Sequence, residues 1–457
     1  MTIGPEITAY YGTVIHSTSP AGLRILDNTL LIISHVTGNI DHLIPGLQPD
    51  RLSSTLASLH HSNITINRLS AAQFIIPGFI DTHNHAPQWL TRGLGQGMHI
   101  LDWLREVTFP AEARYADEEH ARLSHKLLVK GMLRQGVTTA SYYSSLHGPA
   151  TRILADTCLS MGQRALVGKC NMNRGSPGNY IDASTEQSMK VTHECIDHIR
   201  TIDPEASFVR PVLTPRFAIS CTPDLLTQLG ALAAKEPTIP IQTHFNEAQQ
   251  EIDATLSLFP SHKDEVSLYS SFGLLNDRSI LAHCTIMKSE ETQRLAELGC
   301  GIAHCPTANM TVGGGFMAAP VRDFLNRGMK VGLGTDSGGG YSSSMLNAMR
   351  HALIASFARE ANHGDSSMKG LSIDEAFWMA TLGGAKVVGL GDSIGNFAVG
   401  KQFDAVLVDM DSGLGGVNAP FQGFDSPRTL FEKFILTGDD RNMLKVFVNG
   451  RLVHSQS

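Results

Sequence analysis

Between residues 74 and 337 the chain repeats one pattern eight times: a short apolar run, then a polar or glycine-containing turn. The runs fall at 74–85, 136–144, 164–171, 208–220, 239–247, 279–286, 299–309 and 330–337. Apolar stretches this short, bounded by turn residues, read as strands buried on both faces. Segments with helical spacing lie between several of them. After the third run, Ser184 and Gln187 predict a capping box, and Met189, Ile196 and Ile199 keep one helix face. After the sixth, Ser289 is the predicted cap, Glu290 and Glu291 suit the first turn, and Gly299 suits the end. Eightfold strand–helix alternation predicts an α/β chain folded as a TIM-like (β/α)8 barrel. An open doubly wound sheet fits the spans too, but its first turn carries glycines for a nucleotide. Here that turn carries histidines.

The flanks have another rhythm. β-like pieces occur at 10–16, 29–34, 403–408 and 445–453, and Val448-Asn449-Gly450-Arg451 predicts a tight hairpin. The expected layout is a small composite β-sandwich built from 1–72 and 388–457, beside a catalytic barrel at 73–387. Gly313-Gly314-Gly315 and Gly338-Gly339-Gly340 do not match a phosphate loop and read as tight turns at the barrel mouth.

Composition narrows the partners. With 457 residues, 42% of them apolar, the chain can bury a large core, and a net charge of −7 gives no attraction to nucleic acid or an anionic membrane. Seven scattered cysteines without a Cys-x-x-Cys pair read as reduced thiols of a cytoplasmic protein. Residues 1–6 lack a secretory pattern, and no apolar run is long enough to span a bilayer.

The chemistry sits where strands end. In Pro77-Gly78-Phe79-Ile80-Asp81-Thr82-His83-Asn84-His85, period-2 alternation puts His83 and His85 on one side of a strand. His244 ends the fifth strand and Asp336 the eighth, and barrel active sites lie at that face. Three imidazoles and a carboxylate suit one catalytic Zn2+, with Fe2+ the alternative. Such an ion lowers the pKa of water from ~16 to ~7. Glu247, three residues past His244, is placed to shuttle protons. His283, from strand six, is expected to orient the water by a hydrogen bond rather than bind the ion. Asp336 can accept from the same water. His304 is left open between the mouth and an ordinary loop hydrogen bond.

These segments, with Ala282-His283-Cys284, Ala303-His304-Cys305-Pro306 and Gly332-Leu333-Gly334-Thr335-Asp336, resemble the amidohydrolase superfamily along essentially the whole chain. A narrower resemblance is to its guanine deaminase family. It rests on His85-Ala86-Pro87-Gln88, Leu101-Asp102-Trp103-Leu104, Thr108-Phe109-Pro110-Ala111-Glu112, Pro215-Arg216-Phe217, Ser220-Cys221 and the segment from Gly339 to Leu346. The resemblance implies one zinc on His83, His85, His244 and Asp336, proton work by Glu247 and His283, and a homodimer. It also implies that Gln88, Arg216 and Phe217 hold a purine base, with Glu247 reaching it. Residues alone would make Arg216 a structural ion-pair partner and Phe217 core. Asn246, Trp89 and Asn173 depart from the family pattern and are expected to retune the pocket. That keeps other amino-heterocycles in view: a pterin, 8-oxoguanine or a triazine. A two-metal amidase would need a carboxylated lysine on strand four, where this chain has Arg216, while Lys169 falls on strand three. A non-enzymatic scaffold of the same fold is the remaining alternative.

Overall fold

A computed structural model describes residues 7–456 except 62–63, 313–316, 364–367, 414–415 and 417. The first triple glycine therefore lies outside the described residues. The N-terminal flank contributes β1 (Ile7–Ser17), β2 (Leu23–Ser34), β3 (Ile40–Ile44), β4 (Ile66–Arg68) and β5 (Gln73–Pro77). There follow β6 (Phe79–His85), β7 (Val137–Tyr143), β8 (Arg164–Gly168), β9 (Cys170–Asn171), β10 (Val209–Pro211) and β11 (Thr214–Pro215). Then come β12 (Ile241–Phe245), β13 (Ser279–His283), β14 (Gly301–His304) and β15 (Lys330–Leu333). The C-terminal flank adds β16 (Ala405–Asp409), β17 (Met443–Val448) and β18 (Arg451–Ser455).

The predicted first strand is two strands. β5 pairs with β1 and β16 in the flank sheet, whereas β6 pairs in parallel with β7. Gly78 makes the break. A Cβ there would lie 2.2 Å from the Thr138 side chain, so only glycine lets the chain cross so close to β7.

The inner strands form two four-stranded parallel sheets, ordered β10-β8-β7-β6 and β12-β13-β14-β15. This α/β arrangement carries the helices between its strands, as the alternation predicts. The hydrogen-bonded ladder does not run unbroken round a closed barrel. One bridge, Leu213 to Ile241, joins the sheets on one side. On the other side Thr82 Oγ1 donates to Leu333 O at 2.9 Å, and Asp336 N donates to His83 O at 2.9 Å. Buried Asp81 ties this seam, accepting from Thr335 N at 3.0 Å, Thr335 Oγ1 at 2.6 Å and Asn84 Nδ2 at 3.0 Å. Packed against the strands are helices such as Glu118–Arg134 and Gly148–Met161, whose buried faces present Leu128, Met132 and Leu154. Each such side chain contributes about 1.5–3 kcal/mol by leaving water.

The flanks do meet, but hydrogen bonding joins them in one eight-stranded sheet, β18-β17-β16-β5-β1-β2-β3 with β4 beside β1, rather than two separate facing sheets. Asn449 and Gly450, at φ 49° and 72°, form the predicted hairpin turn. The flank sheet is fastened to the inner strands by a buried ion pair. Arg164 on β8 donates to both Asp404 oxygens at 3.2 Å, and Asn449 N donates to Asp404 Oδ1 at 2.7 Å. His16 Nδ1 accepts from Phe397 N at 3.1 Å, linking β1 to the C-terminal flank.

Two helix predictions need adjustment. Ser184 does cap helix Thr185–Ile202, accepting from Gln187 N, but the Gln187 side chain reaches Ala183 N instead of closing the box. Ser289 is the first helical residue of Ser289–Glu297, and Lys288 occupies the cap, its N–H satisfied by Glu291. The predicted seventh strand stops at His304, because Pro306 opens a short helix, Pro306–Thr311. Among the described residues no helix is long and apolar enough to cross a membrane.

Candidate active site

At the C-terminal ends of β6, β12, β13 and β15 the chain assembles a buried group of imidazoles and carboxylates. His83, His244, His283 and Asp336 each offer a ligand atom, all within 4.8 Å of one another. His83 Nε2 lies 3.0 Å from Asp336 Oδ1. His85 stands just outside that mutual set, with its Nε2 3.6 Å from Asp336 Oδ1 and 3.0 Å from His244 Nε2. All four expected ligands are therefore brought together, and His283, expected to act through water, stands among them. Glu247 Oε1 is 3.6 Å from His283 Nε2.

Strand ends alone do not aim these groups. Asn246, His283, Cys284, Asp336 and Ser337 all have positive φ, between 44° and 76°, without being glycine. Such strain persists only where surrounding structure over-determines it, and it clusters at functional sites. Asp336 is held by the His83 carbonyl and by neighbouring Thr335, bound to Asp81. Tyr143 supplies the packing surface, its ring centroid 4.7 Å from those of His83 and His85 and 5.0 Å from that of His244.

Protonation follows from these contacts. His244 Nδ1 lies 2.6 Å from Arg216 O, which only accepts, so Nδ1 carries the proton and Nε2 a lone pair. Asn309 Oδ1, at 2.8 Å, fixes His283 Nδ1–H the same way and leaves buried Nε2 without a hydrogen-bond partner among the described residues. Burial pushes His83, His85 and His244 well below the usual imidazole range, helped by neighbouring charges. Asp336 is pushed up to about 6 by burial, against the pull of His283 and Arg216. Glu247 is raised well above the carboxylate range by burial and then by Asp336. The lone pairs fixed on His244 and His283, beside His83, His85 and the Asp336 carboxylate, make a donor set that could hold a metal ion.

A cavity opens on this group, lined by His85, His244, Glu247, Asp336, Gln88, Arg216 and Phe217, and roofed by Ile100, Trp103 and Leu104. The roof is a one-turn helix, Ile100–Trp103, running into a π-helical turn, Leu104–Thr108. Arg216 does have the ion-pair partner that residues alone suggest: Glu112, at 2.6 Å. It still lines the cavity. Gln88 Oε1 accepts from Gly338 N at 3.2 Å. Gly338 and its neighbours do form a tight turn here, and a Cβ on Gly338 would come 2.6 Å from that oxygen.

The three departures from the family pattern do not line this cavity. Asn246 binds Glu291, Asn173 binds Thr185 and Thr222, and Trp89 carries the Arg92 guanidinium 3.4 Å above its ring. Lys169 is buried against Asp182 and Ser188, so it offers no bridge for a second ion. His304 is buried, and its pKa is lowered to about 3 by desolvation and then by His283. It stands outside the ligand group. Sequence reasoning assigned no role to Glu112, Tyr143, Asn309 or Asp81. For Glu112 the available signal was a lone carboxylate in the apolar stretch Phe109–Ala113.

The profile of the Amidohydrolase family matches residues 74–453. Among similar proteins, a probable guanine deaminase of Schizosaccharomyces pombe is 42% identical over 452 residues, covering 98% of this chain and 84% of that one. The guanine deaminase of Homo sapiens is 35% identical over 451 residues, covering 98% and 97%. A crystal structure of guanine deaminase from C. acetobutylicum, with guanine bound in its active site, superposes with a TM-score of 0.88 at 29% identity, covering 98% of this chain and 100% of that one.

Proposed function

The chain belongs to the amidohydrolase family, and we propose that it is a hydrolase of C–N bonds that converts guanine and water to xanthine and ammonia. The observation that carries this reading is the position of Glu247. It faces His283 at 3.6 Å and walls the same cavity as Gln88, Arg216 and Phe217.

In this reading His83, His85, His244 and Asp336 hold one divalent ion per chain, Zn2+ with Fe2+ the alternative. Bound there, the ion supplies a Lewis acid that makes water acidic near neutral pH. Glu247 takes a proton from the attacking water and passes it to ring N3 as the oxygen adds to C2. It then takes the second proton from the C2 hydroxyl and delivers it to the departing nitrogen; the C2–N bond breaks as the C2 carbonyl forms, and ammonia leaves. His283, its Nδ1–H anchored on Asn309, presents Nε2 to the water. Asp336 shares with it the one hydrogen that Glu247 leaves on that oxygen. Arg216 donates to the O6 side of the base, Gln88 addresses its edge, and Phe217 offers a stacking face. The apolar roof excludes bulk water.

The two parallel sheets are read as halves of the family's (β/α)8 barrel. Of the span 73–387 expected for it, β5 falls instead in the accessory β unit, with segments 1–72 and 388–457. A cytoplasmic homodimer fits the reduced thiols and the resemblance. The deciding experiment is a panel of guanine, a pterin, 8-oxoguanine and a triazine on metal-analysed protein, followed in the ultraviolet. Xanthine formation with guanine ranking first in kcat/KM is expected. Absence of xanthine with metal fully loaded, or guanine ranking last, overturns the assignment.

A further inference from the structure

Glu112 is fully buried directly behind two residues of the cavity wall. One carboxylate gathers four donors: Arg216 Nη1 at 2.6 Å, Arg216 Nη2 at 3.1 Å, Gln88 Nε2 at 2.9 Å and Tyr180 OH at 2.6 Å. The Arg216 guanidinium also lies 5.2 Å from the centre of the Phe109 ring.

Two consequences follow from donor and acceptor rules. The Gln88 amide cannot flip, because Glu112 only accepts and Gly338 N–H only donates. Its remaining N–H and lone pair are therefore presented in one fixed sense. Arg216 meanwhile is matched by one buried carboxylate in a two-pronged contact. An unpaired buried cation would draw an anionic ligand. The neutralised pair offers N–H donors without net charge, which suits a carbonyl oxygen on a neutral ring.

We propose that Glu112 is a positioning and specificity-determining residue. It holds Arg216 and Gln88 as one unit and cancels the guanidinium charge, so that the pocket takes a neutral carbonyl-bearing ring in preference to an anionic one. This rests on the reading that Arg216 and Gln88 hold the base.

The test uses metal-loaded protein with Glu112→Gln, Glu112→Asp, Arg216→Lys and Gln88→Ala. Glu112→Gln is expected to raise KM for guanine about 10- to 100-fold, the range for losing a charged hydrogen-bond partner, with a smaller change in kcat. The distinguishing readout is competitive inhibition by urate, a monoanion at neutral pH, relative to neutral hypoxanthine. Glu112→Gln is expected to shift that ratio towards urate by about tenfold or more, because it leaves Arg216 uncompensated. Glu112→Asp keeps the charge but withdraws it by one methylene, so KM is expected to rise with the ratio little changed. An unchanged ratio in Glu112→Gln overturns the proposal, even if KM rises, since a merely structural role predicts that result. Should Glu112→Gln fail to fold, Glu112→Asp decides, and an unaltered KM there overturns the proposal. If Arg216→Lys and Gln88→Ala raise KM while Glu112→Gln does not, only the role of Glu112 falls. If those two leave KM unchanged, the substrate-binding reading falls and takes the proposal with it.

Discussion

The Nε2 atoms of His85 and His244 face each other across 3.0 Å. His244 keeps its proton on Nδ1, against the Arg216 carbonyl, so its Nε2 brings a lone pair to that contact. A cation shared by both rings and Asp336 turns this juxtaposition from a cost into a bond. Removal of the ion by a chelator is therefore expected to abolish turnover and to lower the melting temperature by roughly 5 °C or more, with Zn2+ restoring both. Elemental analysis should give one ion per chain. Unchanged melting after complete ion removal would contradict a structural stake in the site.

Glu247→Gln preserves shape and removes the proton carrier. The variant should retain one ion per chain and lose about 10²- to 10⁴-fold in kcat. A near-normal rate would remove Glu247 from the proton path.

Asn309 fixes the tautomer of His283 from 2.8 Å away. Replacing it with leucine, similar in size but unable to accept, should lower kcat about 10- to 100-fold, while Asn309→Asp loses less because it still accepts. Equal rates in the two variants would show that the tautomer is set elsewhere.

The Arg164–Asp404 pair is buried on both sides, 4% and 2% exposed. Asp404→Ala should cost about 3–5 kcal/mol in urea unfolding, because it strands a buried cation. Removing both partners together with apolar replacements should cost less than removing Asp404 alone. A loss below about 1 kcal/mol for the single change would mean that water reaches Arg164.

His16 gives a pH dependence with a definite sign. Burial first, then Arg24 and Lys401, lowers its pKa to about 4, from 6.5 for the free side chain. Between those values the unfolded chain binds the proton and the folded chain does not. Stability contributed by this site is thus complete above pH 6.5 and declines as pH falls through 4, by about 3 kcal/mol in all. His16→Asn, which keeps an acceptor near Phe397 N, should flatten the fall in melting temperature over that interval. An identical slope in both proteins would assign the acid sensitivity to other groups.

How much of this was legible follows from range. The paired histidines, His244 and Asp336 could be read because each ends an apolar run, and period-2 alternation fixes which way a strand residue points. The break at Gly78 was harder, since Pro77-Gly78 reads as a turn but not as a change of sheet, and the strands that reveal it are β1, some 60 residues earlier, and β16, more than 300 residues later. Glu112 was hidden for the same reason. Its charge is matched by Arg216, 104 positions away, so locally it looks like an uncompensated carboxylate in an apolar helix. The positive φ values at His283 and Asp336 left no glycine to announce them. Barrel closure was overstated because alternation counts strands without fixing their ladders, and the seam at β6 and β15 is made by side chains and loops.

The division at Gly78 also bears on how the chain matures on the ribosome. β5 finds one of its neighbours only in residues 405–409, while β6, one residue further on, carries His83 and His85. The segment that anchors half of the imidazoles thus waits, through most of synthesis, for a strand not yet translated. Nascent chains halted before residue 405 should hold β5 as an open sheet edge, a natural place for a chaperone to bind.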